Sequence, residues 1–285
     1  MSDVHPPMQA VRPVVAAALA EDLLPIGDIT ASLVPETVTC AARFVSRQPG
    51  VVAGVRSAGE VFSQVDPDVE VRWLLDDGIA VRPGDVVGTV RGRLRSVLTA
   101  ERTALNLLGH LSGVATLTRR YAEAVAEVNP GCRIRDTRKT TPGLRALEKA
   151  AVRAGGGVNH RANLSEAVLV KDNHLGGLSV TAAVEAARRQ WPGRHVEVEC
   201  DSFDQLKEAL AAGADMVMLD NMDAAQAAEA VGLVRDHGTT PVEVSGRITL
   251  ESAAAYARAG VDFVSVGALT HSAPVLDIGL DLGTS

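Results

Sequence analysis

The second half of the chain repeats one pattern. Short β-branched runs, RIRDT (133–137), AVLVK (167–171), HVEVE (195–199), DMVMLD (215–220), PVEVS (241–245) and DFVSV (262–266), alternate with Ala-rich helical segments. The helical segments are GLRALEKAAVRAG, TAAVEAARRQ, DQLKEALAAG, DAAQAAEAVGLVRDHG and LESAAAYARAG, and several end in the glycine that a helix C-cap favours. A helix between two strands carries the chain back to the end where the first strand began, so the strands pair in parallel through right-handed crossovers. The region is thereby restricted to parallel α/β architecture. Six repeats are two short of the usual eight-stranded barrel, so either the barrel is incomplete or two strands escape the pattern. A doubly wound open sheet is the other arrangement.

The first half has a different texture. Met8 to about Asp22 reads as an amphipathic, Ala-rich helix that the Pro and Gly of PIGDITASLVP bring to an end. The β-branched runs in CAARFVSRQPGVVAGV and VEVRWLLDDGIAVRPGDVVGTVRG, divided by QPG, DDG and RPGD turns, predict antiparallel strands and hence an α+β domain over roughly the first 110 residues. From Ser96 to about Val128, Leu98, Leu105, Leu108, Leu111 and Leu117 recur at helical spacing, which predicts helices bridging two domains. Gly109 and Gly113 are break points or close-packing points within them.

Composition narrows the function classes. The chain has 285 residues, 46% hydrophobic and 22% charged, with no low-complexity tract, as expected of an ordered globular protein with two modest domains. Its start, MSDVHPPMQA, has neither a basic cluster nor a long apolar run, and no segment approaches the roughly 20 apolar residues that span a bilayer. A soluble protein without an export signal or a membrane partner is expected. Cys40, Cys132 and Cys200 are far apart and outside any CxxC or Cys/His ligand pattern, which fits a reducing cytoplasm. A net charge of −7 argues against a general nucleic-acid partner. The charge is uneven, however. Between Arg133 and Lys171 nine Lys or Arg stand against three acids (Asp136, Glu148, Glu166), a local +6 that leaves −13 for the rest.

In parallel α/β folds the reactive side chains collect at the carboxyl ends of the strands. There the rule finds Thr137-Arg138-Lys139, Lys171-Asp172-Asn173, Glu199, Asp220-Asn221, Ser245-Gly246 and Gly267-Ala268. Arg138, Lys139, Arg161 and Lys171 together would make an anion site, since guanidinium grips a carboxylate with two parallel hydrogen bonds and ammonium acts on phosphate as a point charge. Each alone reads more simply as a surface salt-bridge residue. His160 either donates to the same anion or is structural. Glu199 and Asp220 end successive repeats, where they suit Mg²⁺ held together with substrate phosphates, or serve as caps. Ser245-Gly246 and Val266-Gly267-Ala268 are small enough for backbone N–H groups to reach a phosphate, in the late strands where such barrels usually bind one. Gly155-Gly156-Gly157 is no dinucleotide fingerprint, because no strand directly precedes it and His160 stands where that motif needs Gly.

RTALNLLGHLSGVAT (102–116), DTRKTTPGLRALEKAAVRAGGGVNHR (136–161), LVKDNH (169–174), VEVE (196–199), GADMVMLDN (213–221) and VDFVSVGALTHS (261–272) resemble the quinolinate phosphoribosyltransferase family, also called nicotinate-nucleotide pyrophosphorylase (carboxylating). The resemblance covers almost the whole chain, and DTRKTTPG followed by GGG and NHR is its most specific part. It implies a type II phosphoribosyltransferase fold, with an N-terminal α+β domain over 1–112, an incomplete α/β barrel over 113–270, and a tail, 271–285, returning to the first domain. It implies transfer of the phosphoribosyl group of 5-phosphoribosyl-1-pyrophosphate to the ring nitrogen of quinolinate, with decarboxylation, giving nicotinate mononucleotide, pyrophosphate and CO₂ in the synthesis of NAD.

Carried over motif by motif, Thr137, Arg138, His160 and Arg161 would bind the two carboxylates of quinolinate, with Arg102 contributed by the neighbouring subunit of a homodimer and a higher oligomer left open. Lys139 and Lys171 would lie between the two substrates. Glu199 and Asp220 would position ribose hydroxyls and Mg²⁺, while Ser245, Gly246 and Arg247, with Val266, Gly267 and Ala268, would hold the 5-phosphate. Arg247 departs from the pattern, since many members have a second glycine there. Its guanidinium either adds a phosphate contact or points to solvent, and the loop depends on whether the position needs positive φ. Three rival readings share the barrel: a phosphoribosyltransferase for a related acid such as nicotinate, a Schiff-base lyase using Lys139 or Lys171, and a catalytically silent binding module.

Overall fold

The computed structural model describes residues 4–283, and the chain divides into two compact units. The first takes the chain up to Arg119, Thr140–Gly156 and the segment from Ala268 onward, and the second takes Arg120–Lys139 and Gly157–Gly267. In chain order the strands are β1 (Thr39–Ser46), β2 (Gly50–Val51), β3 (Glu70–Trp73), β4 (Ala80–Val81), β5 (Val86–Arg93), β6 (Arg133–Arg135), β7 (Val168–Val170), β8 (Val196–Cys200), β9 (Met216–Asp220), β10 (Val242–Ser245), β11 (Phe263–Ser265) and β12 (Ile278–Leu282). The helices are α1 (Met8–Leu23), α2 (Val55–Val65), α3 (Leu94–Val128), α4 (Arg145–Ala154), α5 (Asp172–Leu175), α6 (Val180–Gln190), α7 (Phe203–Ala211), α8 (Ala224–His237), α9 (Leu250–Arg258) and α10 (Ala268–His271). No helix among the described residues is long and apolar enough to cross a membrane.

In the first unit, α1 buries Val11, Val15 and Leu19, whose spacing of four keeps them on one helix face. It packs against α2, which buries Ala58, Val61 and Phe62. The sheet beside them is antiparallel in the order β12-β1-β5-β3. Phe44 of β1 meets Phe62 edge-on at 5.9 Å and Trp73 of β3 at 4.9 Å between ring centroids, forming an aromatic centre for this core. α3 runs unbroken through Gly109 and Gly113, so these are close-packing positions and not breaks. A Cβ at Gly113 would stand 2.1 Å from the Pro274 carbonyl oxygen.

The second unit is built on a parallel sheet of order β6-β11-β10-β9-β8-β7. From β7 to β11 every crossover moves one strand in the same direction. Right-handed crossovers that never reverse direction put all their helices on one face, so the sheet winds as a barrel and is not doubly wound. β6 and β7, consecutive in sequence, lie at opposite ends of the strand order, so the barrel stays open. One isolated parallel bridge, Arg135 to Val158, links β6 to the segment that carries His160 and Arg161. The expected strand RIRDT stops at Arg135, and just beyond it the buried Asp136 carboxylate accepts hydrogen bonds from the His160 amide (2.8 Å) and from Asn159 Nδ2 (2.5 Å). α6, α7, α8 and α9 start on Ser179, Ser202, Asp223 and Thr249, whose side-chain oxygens accept from backbone N–H groups of the first turn.

Candidate active site

Alternation along the strands decides which side chains meet. Glu197 and Glu199 share one face of β8, with Val196 and Val198 on the other. Across the ladder Glu199 stands beside Met218 of β9, Met218 beside Glu243 of β10, and Asp220 beside Ser245. Ser265 of β11 stands beside Arg135 of β6. At the carboxyl ends of these strands lies a cavity of about 430 Å³.

Its walls include ten of the residues singled out above. Thr137, Arg138 and Lys139 follow β6, His160 and Arg161 come from the segment after Val158, and Lys171 follows β7. Glu199, Asp220, Ser245 and Gly246 complete the set at the ends of β8, β9 and β10. Arg247, Val266 and Gly267 lie in the neighbouring loops without lining the cavity. Arg102 and Ala268 belong to the first unit, where exposed Arg102 lines a different cavity of about 250 Å³ with Asn106 and His110. Leu169, Met218, Glu243 and Ser265 also line the strand-end cavity.

Charge is arranged in two layers. At the mouth, Lys171 Nζ makes a close ion pair with Glu199, Asp220 accepts from Asn221 Nδ2 (2.6 Å), and the Lys139 amide donates to Thr137 Oγ1 (3.0 Å). Burial, and next the nearby Arg138 guanidinium, draw Arg161 below the usual guanidinium range, while Glu197 acts the other way. Two cations held this close favour an anion between them. Below them, Glu243 is fully buried and accepts from Ser265 Oγ (2.6 Å) and from the Arg135 guanidinium, which lies 4.3 Å from the centre of the Phe263 ring. Burial and then the facing Glu197 carboxylate push Glu243 above the usual carboxylate range.

His160 has both ring nitrogens engaged. The Arg161 amide donates to Nδ1 at 2.7 Å, so Nε2 carries the ring proton and donates to Glu197 at 2.9 Å. Burial pushes the Cys132 and Cys200 thiols up to about 12, and neither lines the cavity.

The loop after β10 settles the conformation at Arg247. Its φ is 43°, so the position does take left-handed backbone, and an exposed arginine adopts it. Asn221, just after the adjacent strand β9, has φ 56°. Gly246, with φ 104°, has its α-carbon turned toward Asn221 and Asp220, and a Cβ there would come within 3.1 Å of Asn221 Oδ1. Reading strand ends alone misses Glu197, Glu243, Arg135 and Ser265. The available signal was a charged or polar residue inside an otherwise β-branched run, at an alternating position of the strand.

Cavity and winding define a class: an open α/β barrel that gathers cations and carboxylates around one cavity at its strand ends. Comparison with known proteins makes this specific. The sequence model of the family described as "Quinolinate phosphoribosyl transferase, C-terminal domain" matches residues 114–281, and that of the corresponding N-terminal domain matches 28–112. The chain is 46% identical over 279 residues to the nicotinate-nucleotide pyrophosphorylase (carboxylating) of Mycobacterium leprae, with 96% of this chain and 97% of that protein covered. It is 44% identical over 244 residues to a probable enzyme of the same name from Synechocystis, with 85% and 82% covered. The solved structure of the nicotinate-nucleotide pyrophosphorylase of Francisella tularensis superposes with a TM-score of 0.91 at 39% identity, over 97% of each chain. The chain belongs to the quinolinate phosphoribosyltransferase family and is a phosphoribosyltransferase.

Proposed function

We propose that the strand-end cavity transfers the phosphoribosyl group of 5-phosphoribosyl-1-pyrophosphate to the ring nitrogen of quinolinate and releases nicotinate mononucleotide, pyrophosphate and CO₂. The observation that carries this reading is the convergence of Arg138, Lys139, Arg161 and Lys171 with Glu199 and Asp220 on one cavity. Arg138 and Arg161, with Thr137, bind the two carboxylates of quinolinate. His160 holds its place beside them through its two internal hydrogen bonds. Lys139 and Lys171 lie between the acid and the pyrophosphate, and the small loop at Ser245 and Gly246 receives the 5-phosphate, with Arg247, Val266 and Gly267 in the loops beside it.

The chemistry asks the protein for orientation and charge rather than for a nucleophile. The pyridine nitrogen attacks the anomeric carbon as the bond to pyrophosphate breaks. Glu199 and Asp220 hold the ribose hydroxyls while positive charge builds on the ring oxygen. In the pyridinium so formed, the bond to the carboxylate next to nitrogen breaks, CO₂ leaves, and the electron pair stays on the ring carbon beside N⁺ until it takes up a proton. The cations of the mouth keep two anionic substrates together against their repulsion.

Glu199 and Asp220 also fit Mg²⁺, being carboxylates on adjacent strands that face one cavity, the hard oxygen donors this ion prefers. When bound, Mg²⁺ would neutralise the departing pyrophosphate. The working form is a homodimer in which Arg102 of one copy completes the cavity of the other. The exposed Leu24, Ile26, Ile29 and Leu33 supply apolar surface for such an interface. A cytoplasmic setting suits three free cysteines.

The test is to incubate the protein with Mg²⁺ and 5-phosphoribosyl-1-pyrophosphate plus either quinolinate or nicotinate. Pyrophosphate with CO₂ from quinolinate is expected, and pyrophosphate from nicotinate alone would refute the reading.

A further inference from the structure

Below the cations lies a carboxylate to which the roles above give no task. Glu197 is buried on the inner face of β8, one step deeper than Glu199. Its Oε2 accepts from His160 Nε2 at 2.9 Å, and the Arg161 amide donates to the other nitrogen of that ring at 2.7 Å. Arg161 in turn donates from Nη1 to the Ala167 carbonyl at 2.9 Å. Hydrogen bonds therefore link Glu197 in the barrel interior to the Arg161 main chain, and the guanidinium that this main chain carries is held separately by the Ala167 carbonyl.

We propose that Glu197 is a positioning residue of the anion site: by anchoring His160 it holds the main chain and guanidinium of Arg161 where a substrate carboxylate is bound. The proposal rests on reading the cavity as the quinolinate site. Three further observations support it. Arg161 is crowded by Arg138 before any substrate arrives, and Glu197 is the carboxylate that counters this crowding. No neighbour replaces it cheaply. Glu243 Oε1 is 3.8 Å from His160 Nε2 and already accepts from Ser265, while its other oxygen is taken by Arg135. Finally, Glu197 Oε1 accepts no hydrogen bond among the described residues. A buried carboxylate kept only for stability would be expected to use both oxygens, so an orphaned one points to a placement set by the His160 contact. The positive charge that this acidic layer needs comes from Arg135.

The test compares steady-state kinetics of the full chain and its Glu197→Ala, Glu197→Gln and Glu197→Asp variants, with folding checked by circular dichroism. Glu197→Ala should raise the KM for quinolinate about tenfold, the scale of a lost hydrogen bond to a charged group, and leave that for 5-phosphoribosyl-1-pyrophosphate within about twofold. Glu197→Gln, whose carbonyl can still accept from Nε2, should recover most of the loss. In nitrogen-15 spectra His160 should show the Nε2-protonated ring in the wild type and in Glu197→Gln, and an averaged signal in Glu197→Ala. An unchanged quinolinate KM in Glu197→Ala, or an equal rise for both substrates, overturns the proposal. If Glu197→Ala does not fold, Glu197→Asp decides, because withdrawing the carboxylate by one methylene breaks the contact and should produce the same selective rise. A wild-type protein that does not turn over quinolinate overturns the functional reading itself, a result distinct from any difference among the variants.

Discussion

Replacing Arg138 by Ala tests the anion site at its strongest point. A hydrogen bond to a charged group contributes about 1.5 to 3 kcal/mol. The full value is not expected, because Arg138 is one of the groups that draw Arg161 below its usual range, and removing it relieves that repulsion. A loss of about 1.5 to 2.5 kcal/mol remains, which corresponds to an increase of about 10- to 70-fold in the KM for quinolinate. Arg138 is only half-buried, so stability should change by no more than about 0.5 kcal/mol. The assay is pyrophosphate release with quinolinate varied at saturating 5-phosphoribosyl-1-pyrophosphate, then with the substrates exchanged. A rise confined to quinolinate supports the assignment. An unchanged KM for quinolinate with a raised KM for the other substrate would mean that Arg138 faces phosphate and that the map of the cavity is reversed.

Three further outcomes are expected. Arg247→Gly should raise stability in urea melts by about 0.5 to 1 kcal/mol, because glycine accepts the left-handed backbone that an arginine takes at a cost. Gly113→Ala should cost about 2 to 3 kcal/mol, since the new Cβ would meet the Pro274 backbone at 2.1 Å, and a midpoint unchanged from wild type would contradict that packing. Asp28 accepts from the amide of Ala31 (2.8 Å) and that of Thr30 (3.0 Å) and from Thr99 Oγ1 (3.0 Å), and these bonds, the Ala31 amide foremost, hold its carboxyl below the usual range. Its contribution is therefore present above the unfolded value of about 3.9 and is lost as pH falls through the lower folded value. Asp28→Ala should cost about 1 kcal/mol at pH ~6 and much less at pH ~2, and an equal cost at both would refute this.

Much of the barrel could be read locally. Its strands are β-branched runs closed by capping residues and glycines, and β7 to β11 fall within a residue or two of the expected positions. Strand-end polar residues could be read for the same reason, because a parallel fold sends all those ends to one side. What could not be read depends on partners distant in sequence. That β6 pairs with β11 and not with β7 follows from the order of the open sheet and not from any residue of RIRDT. Whether Gly113 breaks or packs a helix is decided by Pro274. The buried layer was half-legible: VEVE and PVEVS carry their acids at alternating positions, but only the ladder shows that Glu197 and Glu243 turn toward the same interior. The positive φ of Arg247 is a property of the loop, and arginine itself gives no sign of it.

The most direct test of the whole account is a product balance: purified protein, Mg²⁺, 5-phosphoribosyl-1-pyrophosphate and quinolinate labelled in the carboxylate next to the ring nitrogen. Labelled CO₂ and pyrophosphate released in equal amounts, with nicotinate mononucleotide formed, is the predicted result. Pyrophosphate released without labelled CO₂, or no consumption of quinolinate, would contradict it.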